Sequence, residues 1–216
     1  MTIHIKEFLS NNENDIKHDL LELVKAESPS QNIDYLNTCK DVINRIMNNR
    51  FNDLFTLTEH VSEEYGTHLQ FELKEKTDRP RILFLSHYDT VWGVGDLKIE
   101  EKEERLYGPG TFDMKSGLVS SIWAVLALMQ DKNPIAPVFL FTSDEEIGSP
   151  SSRPIIEQVA KTCEAVFVME SPVAGTHALK TERKGVGRYH IKAYGLSAHA
   201  GNHHEDGINA INEIAK

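Results

Sequence analysis

Apolar positions change their spacing several times along the chain. Between residues 13 and 27, Ile16, Leu20, Leu21, Leu23 and Val24 recur near a helical period, which predicts an amphipathic helix. Pro29 marks the loop "ESPSQN" that follows it. A second helical stretch covers 34–50, with Leu36, Val42, Ile43, Ile46 and Met47 toward a core. The pieces "LFTLTEHV" and "THLQFELKE" within 54–75 read as strands, Leu69, Phe71 and Leu73 sharing one face. The pattern then becomes regular. "RILFLSH" (81–87), "APVFLFTSDEE" (136–146) and "AVFVMES" (165–171) are near-continuous apolar runs, as in strands covered on both faces. Between them lie two helical segments, "KSGLVSSIWAVLALMQD" (115–131) and "SRPIIEQVAK" (152–161). Strands alternating with helices predict an α/β fold: a mostly parallel sheet with helices on both faces. The apolar stripe of 115–131, Trp123 included, reads as core packing alone, and Cys163 as a small buried hydrophobe.

From residue 184 the pattern differs. "GVGRYHIKAYG" (185–195) alternates, with Tyr189, Ile191 and Ala193 on one face and Arg188, His190 and Lys192 on the other. That predicts a half-exposed strand of an antiparallel sheet. A helix is expected over 205–216, capped by Asp206, with His203 and His204 in a solvated loop before it. The expected organisation is therefore 1–183 as the main domain and 184–216 as the start of a smaller α+β domain. So short a segment is too small to bury a core of its own.

Charge narrows the partners. The net charge of −10, from 33 acidic against 23 basic residues, argues against a nucleic-acid surface, which needs clustered Lys and Arg. The N-terminal twenty residues contain no secretory apolar stretch, and no uninterrupted apolar run of about 18 residues suggests a membrane span. Cys39 and Cys163 form no metal-type or disulfide pattern. The expectation is a cytoplasmic protein without membrane or nucleic-acid partners.

The candidate chemistry lies where the buried runs stop. The first ends in His87 and Asp89, the second in Asp144, Glu145 and Glu146, the third in Glu170. In open α/β sheets ligands gather beyond the carboxyl ends of the strands, so these groups are expected at one edge. Asp113 joins them from the glycine-broken loop "YGPGTFDMKSG". His87, Asp113, Glu146 and Glu170 crowded together would repel unless cations sat among them. Zinc accepts such nitrogen and oxygen donors, and a carboxylate can bridge two metals. Asp89, two residues along from His87, can accept the other ring N–H of that histidine and fix its tautomer.

These motifs resemble the dinuclear-zinc metallopeptidases that include glutamate carboxypeptidase, aminoacylase, acetylornithine deacetylase and succinyl-diaminopimelate desuccinylase. "SHYDTV", "GPGTFDMKSG", "SDEEIGS", the "ME" before "SP", and "GLSAHAG" occur in that family's order between residues 81 and 201. The resemblance implies that His87, Asp113 and Glu170 hold one Zn²⁺, with Co²⁺ or Mn²⁺ as alternatives. Asp113 would bridge to a second ion also held by Glu146. Glu145 would be the general base for an activated water, and His199 would stabilise the oxyanion, commonly across a homodimer interface. The implied substrate is a small peptide or N-acyl amino acid, cleaved at an amide bond beside a carboxylate.

The resemblance also implies features this chain lacks. A further histidine for the second ion, the rest of the lid domain and the basic residues that grip a substrate carboxylate would lie past Lys216. The expectation is a C-terminally truncated chain with a weak second metal site and low activity on its own. Two alternatives follow: a non-catalytic remnant or dimerisation module, and a two-metal phosphatase in which Lys115 would face phosphate. A phosphate-cradling role for "GPGTFDMKSG" is disfavoured because the G-x-x-x-x-G-K-[ST] spacing is absent.

Overall fold

The computed structural model describes residues 2–130, 134–187 and 189–216, with side chains from residue 5 onward. The expected helix end at Asp131 and the expected outward-facing Arg188 lie outside the described residues. Contacts divide the chain into two compact units, Met1–Ser171 and Pro172–Lys216, where the sequence suggested a boundary at 183/184.

The first unit begins with three helices, α1 (Thr2–Asn11), α2 (Glu13–Lys25) and α3 (Ile33–Phe51). The hairpin of β1 (Phe55–Ser62) and β2 (Gly66–Leu73) follows, then β3 (Arg81–His87) and a short hairpin of β4 (Glu100–Lys102) and β5 (Arg105–Tyr107). A π-helical turn, Thr111–Lys115, leads into α4 (Ser116–Met129). Then come β6 (Ala136–Thr142), α5 (Arg153–Ala160) and β7 (Ala165–Val168).

The main sheet has the order β1-β2-β6-β3-β7. β6, β3 and β7 are parallel, and β2 runs antiparallel to both its neighbours, so the sheet is mixed, with β2 alone opposing the other strands. Strand alternation sorts the core onto its two faces. Leu69, Phe71, Phe84, Phe139 and Phe141 pack under α2, α3 and α4. Leu83, Val138 and Leu140 point the other way and meet Val159 of α5. Phe139, fully buried, has ring centroids 5.5 Å from both Phe55 and Phe84.

The segment Thr111–Met129 is long and apolar enough to cross a membrane by composition, but more than half of it is buried, as befits the core helix of this sheet. Trp123 does more than pack. Its indole N–H donates to Asp19 (2.9 Å), which also accepts two bonds of 2.8 Å from Arg50. A buried carboxylate with three charge-satisfying donors ties α2, α3 and α4 together.

Two strand expectations fail. β7 is not covered on both faces: Val166, Phe167 and Val168 are exposed, because β7 lies at the sheet's edge and is paired with β3 alone. Residues 185–195 of the second unit form no strand among the described residues. Alternation specifies a face, not a partner, and the described residues of Pro172–Lys216 offer no strand to pair with. That unit holds an isolated bridge between Leu196 and Ile208, a 3₁₀ turn over His204–Asp206, and α6 (Ala210–Ile214). The cap of α6 is Asn209, whose side chain accepts from Ile211 and Asn212; Asp206 sits in the preceding turn. Cys163 is only partly buried, beside the Leu83 cluster.

Candidate metal centre

His87 closes β3 with its imidazole buried. Its Nδ1 lies 3.0 Å from the carbonyl oxygen of Asp89 and 3.3 Å from that residue's Oδ1. Both partners are acceptors, so Nδ1 keeps its proton, and Nε2 is the nitrogen whose proton a metal ion would replace. The sequence pointed to the Asp89 carboxylate for this task; the backbone carbonyl is the nearer partner. Nε2 faces Asp113 Oδ1 at 3.1 Å, Glu170 Oε1 at 3.4 Å and Glu145 Oε2 at 3.7 Å. The histidine is 1% exposed while Glu170, Glu145 and Asp113 are 24%, 49% and 61% exposed, so the cluster opens from a buried nitrogen toward solvent.

The sheet and its loops deliver each group. β3 and β6 are parallel and in register, His87 opposite Thr142, so Asp89 and the segment 143–146 leave the sheet together. The expected strand to Glu146 stops at Thr142, and a turn carries Asp144, Glu145 and Glu146. Asp89, fully buried, accepts the backbone N–H of Glu145 at Oδ1 and of Glu146 at Oδ2, both at 3.2 Å. Ser30 donates to the same Oδ2 (2.8 Å), and residues 28 and 30 pair through their backbones with Thr90. One carboxylate therefore orients the imidazole and also holds the turn bearing the two glutamates. No sequence motif pointed to Ser30.

Asp113 sits in the π-helical turn, where its peptide bond to Met114 is cis. The Met114 sulfur accepts the N–H of His87 (3.2 Å), which joins this turn to the end of β3. Lys115 is fully buried and donates to the carbonyls of Leu23 and Ala26, both at 2.9 Å, fastening the turn to the end of α2. Gly117 admits the approach of β7's exit: a Cβ there would lie 1.8 Å from the carbonyl oxygen of Met169, the residue before Glu170.

Two compact donor triples result, His87–Asp113–Glu146 and His87–Glu145–Glu170, each with its ligand atoms within 4.8 Å of one another. This grouping differs from the division implied by the resemblance, in which Glu145 is not a ligand. The donor set fits a divalent cation: carboxylates surround one imidazole nitrogen at an open mouth. Burial alone would lower the pKa of His87, but Asp89, Glu170 and Glu145 outweigh it and raise it to about 11. Burial, together with the nearby Asp113, Asp89 and Glu145 carboxylates, pushes Glu146 up to about 7 against the pull of His87. Burial raises Glu145 too. The protein thus gathers carboxyl groups at a cost in ionisation that a cation would relieve.

In the second unit, Nδ1 of His199 accepts the backbone N–H groups of Gly201 (3.2 Å) and Asn202 (3.1 Å). The turn therefore keeps the proton of the neutral ring on Nε2, as an outward hydrogen-bond donor.

Residues 83–216 match the model of peptidase family M20/M25/M40. Carboxypeptidase G2 from Pseudomonas sp. (strain RS-16) is 32% identical over 141 residues, which are 62% of this chain and 34% of that protein. Succinyl-diaminopimelate desuccinylase from Nautilia profundicola is 29% identical over 174 residues, 72% of this chain and 45% of the relative. The chain thus spans about a third to just under half the length of these relatives. In structure it resembles aminopeptidase PepT from Bacillus cereus, with a TM-score of 0.66 at 22% identity over 95% of this chain and 56% of that one. With the family's model covering more than half of its residues, the chain belongs to peptidase family M20/M25/M40.

Proposed function

We propose that this chain carries the metal-binding and proton-transfer groups of a hydrolase that cleaves an amide bond beside a carboxylate, as a carboxypeptidase or an N-acyl-amino-acid deacylase does. The convergence of Asp113, Glu145 and Glu170 on His87 Nε2 carries this reading. His87, Asp113, Glu146 and Glu170 would hold Zn²⁺, or Co²⁺ or Mn²⁺ in its place. A bound divalent ion would supply a lowered pKa for water and polarisation of the scissile carbonyl.

The chain's own groups do the rest. Glu145 lies on the open side of the cluster with a raised pKa, suited to taking a proton from water and passing it to the departing amine. Asp89 fixes the His87 tautomer and the backbone of the Glu145–Glu146 turn. His199, with its proton held on Nε2, is suited to donate to a developing oxyanion. A small peptide or N-acyl amino acid as substrate, and a homodimer as the working assembly, belong to the same reading. A cytoplasmic setting fits the two unpaired cysteines.

Nothing supports the phosphatase alternative. Lys115, the cation it rested on, is buried with its ammonium spent on two carbonyls.

The test is zinc titration followed by hydrolysis of a panel of N-acyl glutamates and dipeptides, with Glu145→Gln as the control. Turnover lost to a chelator, and lost in Glu145→Gln at unchanged metal content, is the expected result. Metal bound without turnover would leave a metal-binding module that does not catalyse, and no metal bound would end the reading.

A further inference from the structure

The Glu145–Glu146 turn is held from two sides, and the reaction scheme above uses one of them. Asp89 grips it from the His87 side. On the other side lies His68 of β2, a buried histidine that no motif singled out and that hydrogen-bonds with Ser143 and Ser151.

The hydrogen bonds around His68 have one consistent direction. Its Nδ1 accepts the backbone N–H of Ser143 (3.2 Å), while the Ser143 hydroxyl gives its proton to the carbonyl of Tyr65 (2.7 Å). The ring proton is therefore on Nε2, which lies 2.9 Å from Ser151 Oγ. Ser151 in turn donates its hydroxyl to Asp144 Oδ2 (2.8 Å). The same oxygen accepts the backbone N–H groups of Ser151 (2.8 Å) and Ser152 (3.0 Å) at the start of α5. His68, Ser143 and Asp144 are all buried, so each lost partner would leave an unsatisfied polar group. Burial lowers the pKa of His68, in keeping with a neutral ring.

We propose that His68 is a positioning residue for the proposed base Glu145 and the proposed ligand Glu146, acting on the two residues that lead into the turn, Ser143 directly and Asp144 through Ser151. The imidazole holds the entry to the turn: it fixes the residue that enters it and, through one hydroxyl, the carboxylate immediately before Glu145. A two-nitrogen ring with one acceptor and one donor is required, because the neighbour on one side is an N–H and on the other an oxygen. This inference rests on the metal-centre reading for its functional consequence, but the hydrogen-bond chain itself is independent of it.

The experiment uses the full 216-residue chain. Amide hydrogen exchange is measured on metal-free wild type and His68→Leu, and Co²⁺ is titrated into both well below their melting temperatures. In His68→Leu the amides of residues 143–146 and 151 should exchange at least about tenfold faster, with those of α3 and β1 unchanged. Co²⁺ affinity should fall by about tenfold or more, the range expected when a group that orients a ligand is lost. His68→Gln, which keeps a donor near the Nε2 position, should recover part of both effects. If His68→Leu does not fold, Ser151→Ala removes the middle link and should give the same local pattern. Unchanged exchange at the turn would overturn the proposal. So would faster exchange with unaltered Co²⁺ affinity, the mark of a merely structural histidine. Wild-type protein that binds no Co²⁺ would defeat the metal-centre reading and this proposal with it, a failure visible without any His68 variant.

Discussion

The two compact units handle similar side chains in opposite ways. In Met1–Ser171, Leu83, Phe139 and Phe141 are fully buried; in Pro172–Lys216, Leu179, Tyr189 and Val186 are 82%, 87% and 100% exposed. The difference lies in the partners, since both stretches carry apolar residues at regular spacing. β6 has β2 and β3 beside it and helices on both faces, so its residues find neighbours in every direction. Residues 185–195 have no strand to pair with among the described residues of their own unit. The largest expected effect follows. Phe139→Ala should destabilise the first unit by about 3–5 kcal/mol, the usual cost of deleting a buried aromatic ring. Tyr189→Ala should stay within about 0.5 kcal/mol, as exposed substitutions do. Urea unfolding of both variants measures this, and comparable losses would erase the contrast between the units.

The contrast extends to the chemistry, because every proposed metal ligand lies in the first unit. His87→Ala should weaken Zn²⁺ or Co²⁺ binding by at least about 100-fold, more than the loss of a group that only orients a ligand. His199→Ala should leave metal affinity within about twofold, since its assigned role is toward the substrate's oxyanion. Calorimetric titration of both variants decides the matter. A large loss of affinity in His199→Ala would mean that the metal site is not confined to Met1–Ser171.

Much of the first unit was legible because its strands and helices are long and periodic. β3 and α3, and the starts of β6 and α4, lie where the apolar spacing placed them. α1 and the β4–β5 hairpin went unread. The hairpin strands, "EEK" and "RLY", are three residues each, mostly charged, and joined through Glu103 and Glu104 at positive φ without a glycine to signal it. At the site, His87, Glu145, Glu146 and Glu170 could be found because each terminates or follows an apolar run, and Asp113 because it lies in the glycine-broken loop before the long apolar helix. Ser30, His68 and Lys115 could not. Their roles depend on groups 59, 83 and 92 positions away, such as Asp89, Ser151 and Leu23, and such pairings leave no local pattern. The strand expected at 185–195 failed for the complementary reason: local pattern without a distant partner.

A smaller effect concerns protons and belongs to the first unit alone. In the metal-free protein His87, with a pKa near 11, holds a proton at neutral pH, and Glu146, near 7, holds about half of one. Metal binding needs both deprotonated, so it releases protons, and apparent affinity rises with pH. Between pH 7 and 11 the His87 proton sets the slope, and affinity should rise by about tenfold per unit. Below 7 Glu146 adds its own share and the slope should steepen toward about 100-fold per unit. Titrations across that range, in buffers of different ionisation enthalpy, report slope and proton count together. A pH-independent affinity would show that the crowded carboxylates and His87 are not the ligands.

The smallest effect tests whether the two units share their stability. α6 is five residues long, too short to persist without help, and its help is local: the Asn209 side chain accepts the N–H groups of Ile211 (2.9 Å) and Asn212 (3.3 Å). Asn209→Ala should remove about 1 kcal/mol from this helix, whereas Asn209→Asp, an equally good cap, should not. In nuclear magnetic resonance the Cα shifts of residues 210–214 should lose their helical offset in the alanine variant and keep it in the aspartate variant. The melting temperature set by the sheet core should stay within about 1 °C if Pro172–Lys216 melts separately, since distant, independent sites add. A fall of about 2–4 °C, the shift expected if that same free energy were drawn from one cooperative unit of the chain's 216 residues, would show that Pro172–Lys216 unfolds together with the sheet rather than beside it.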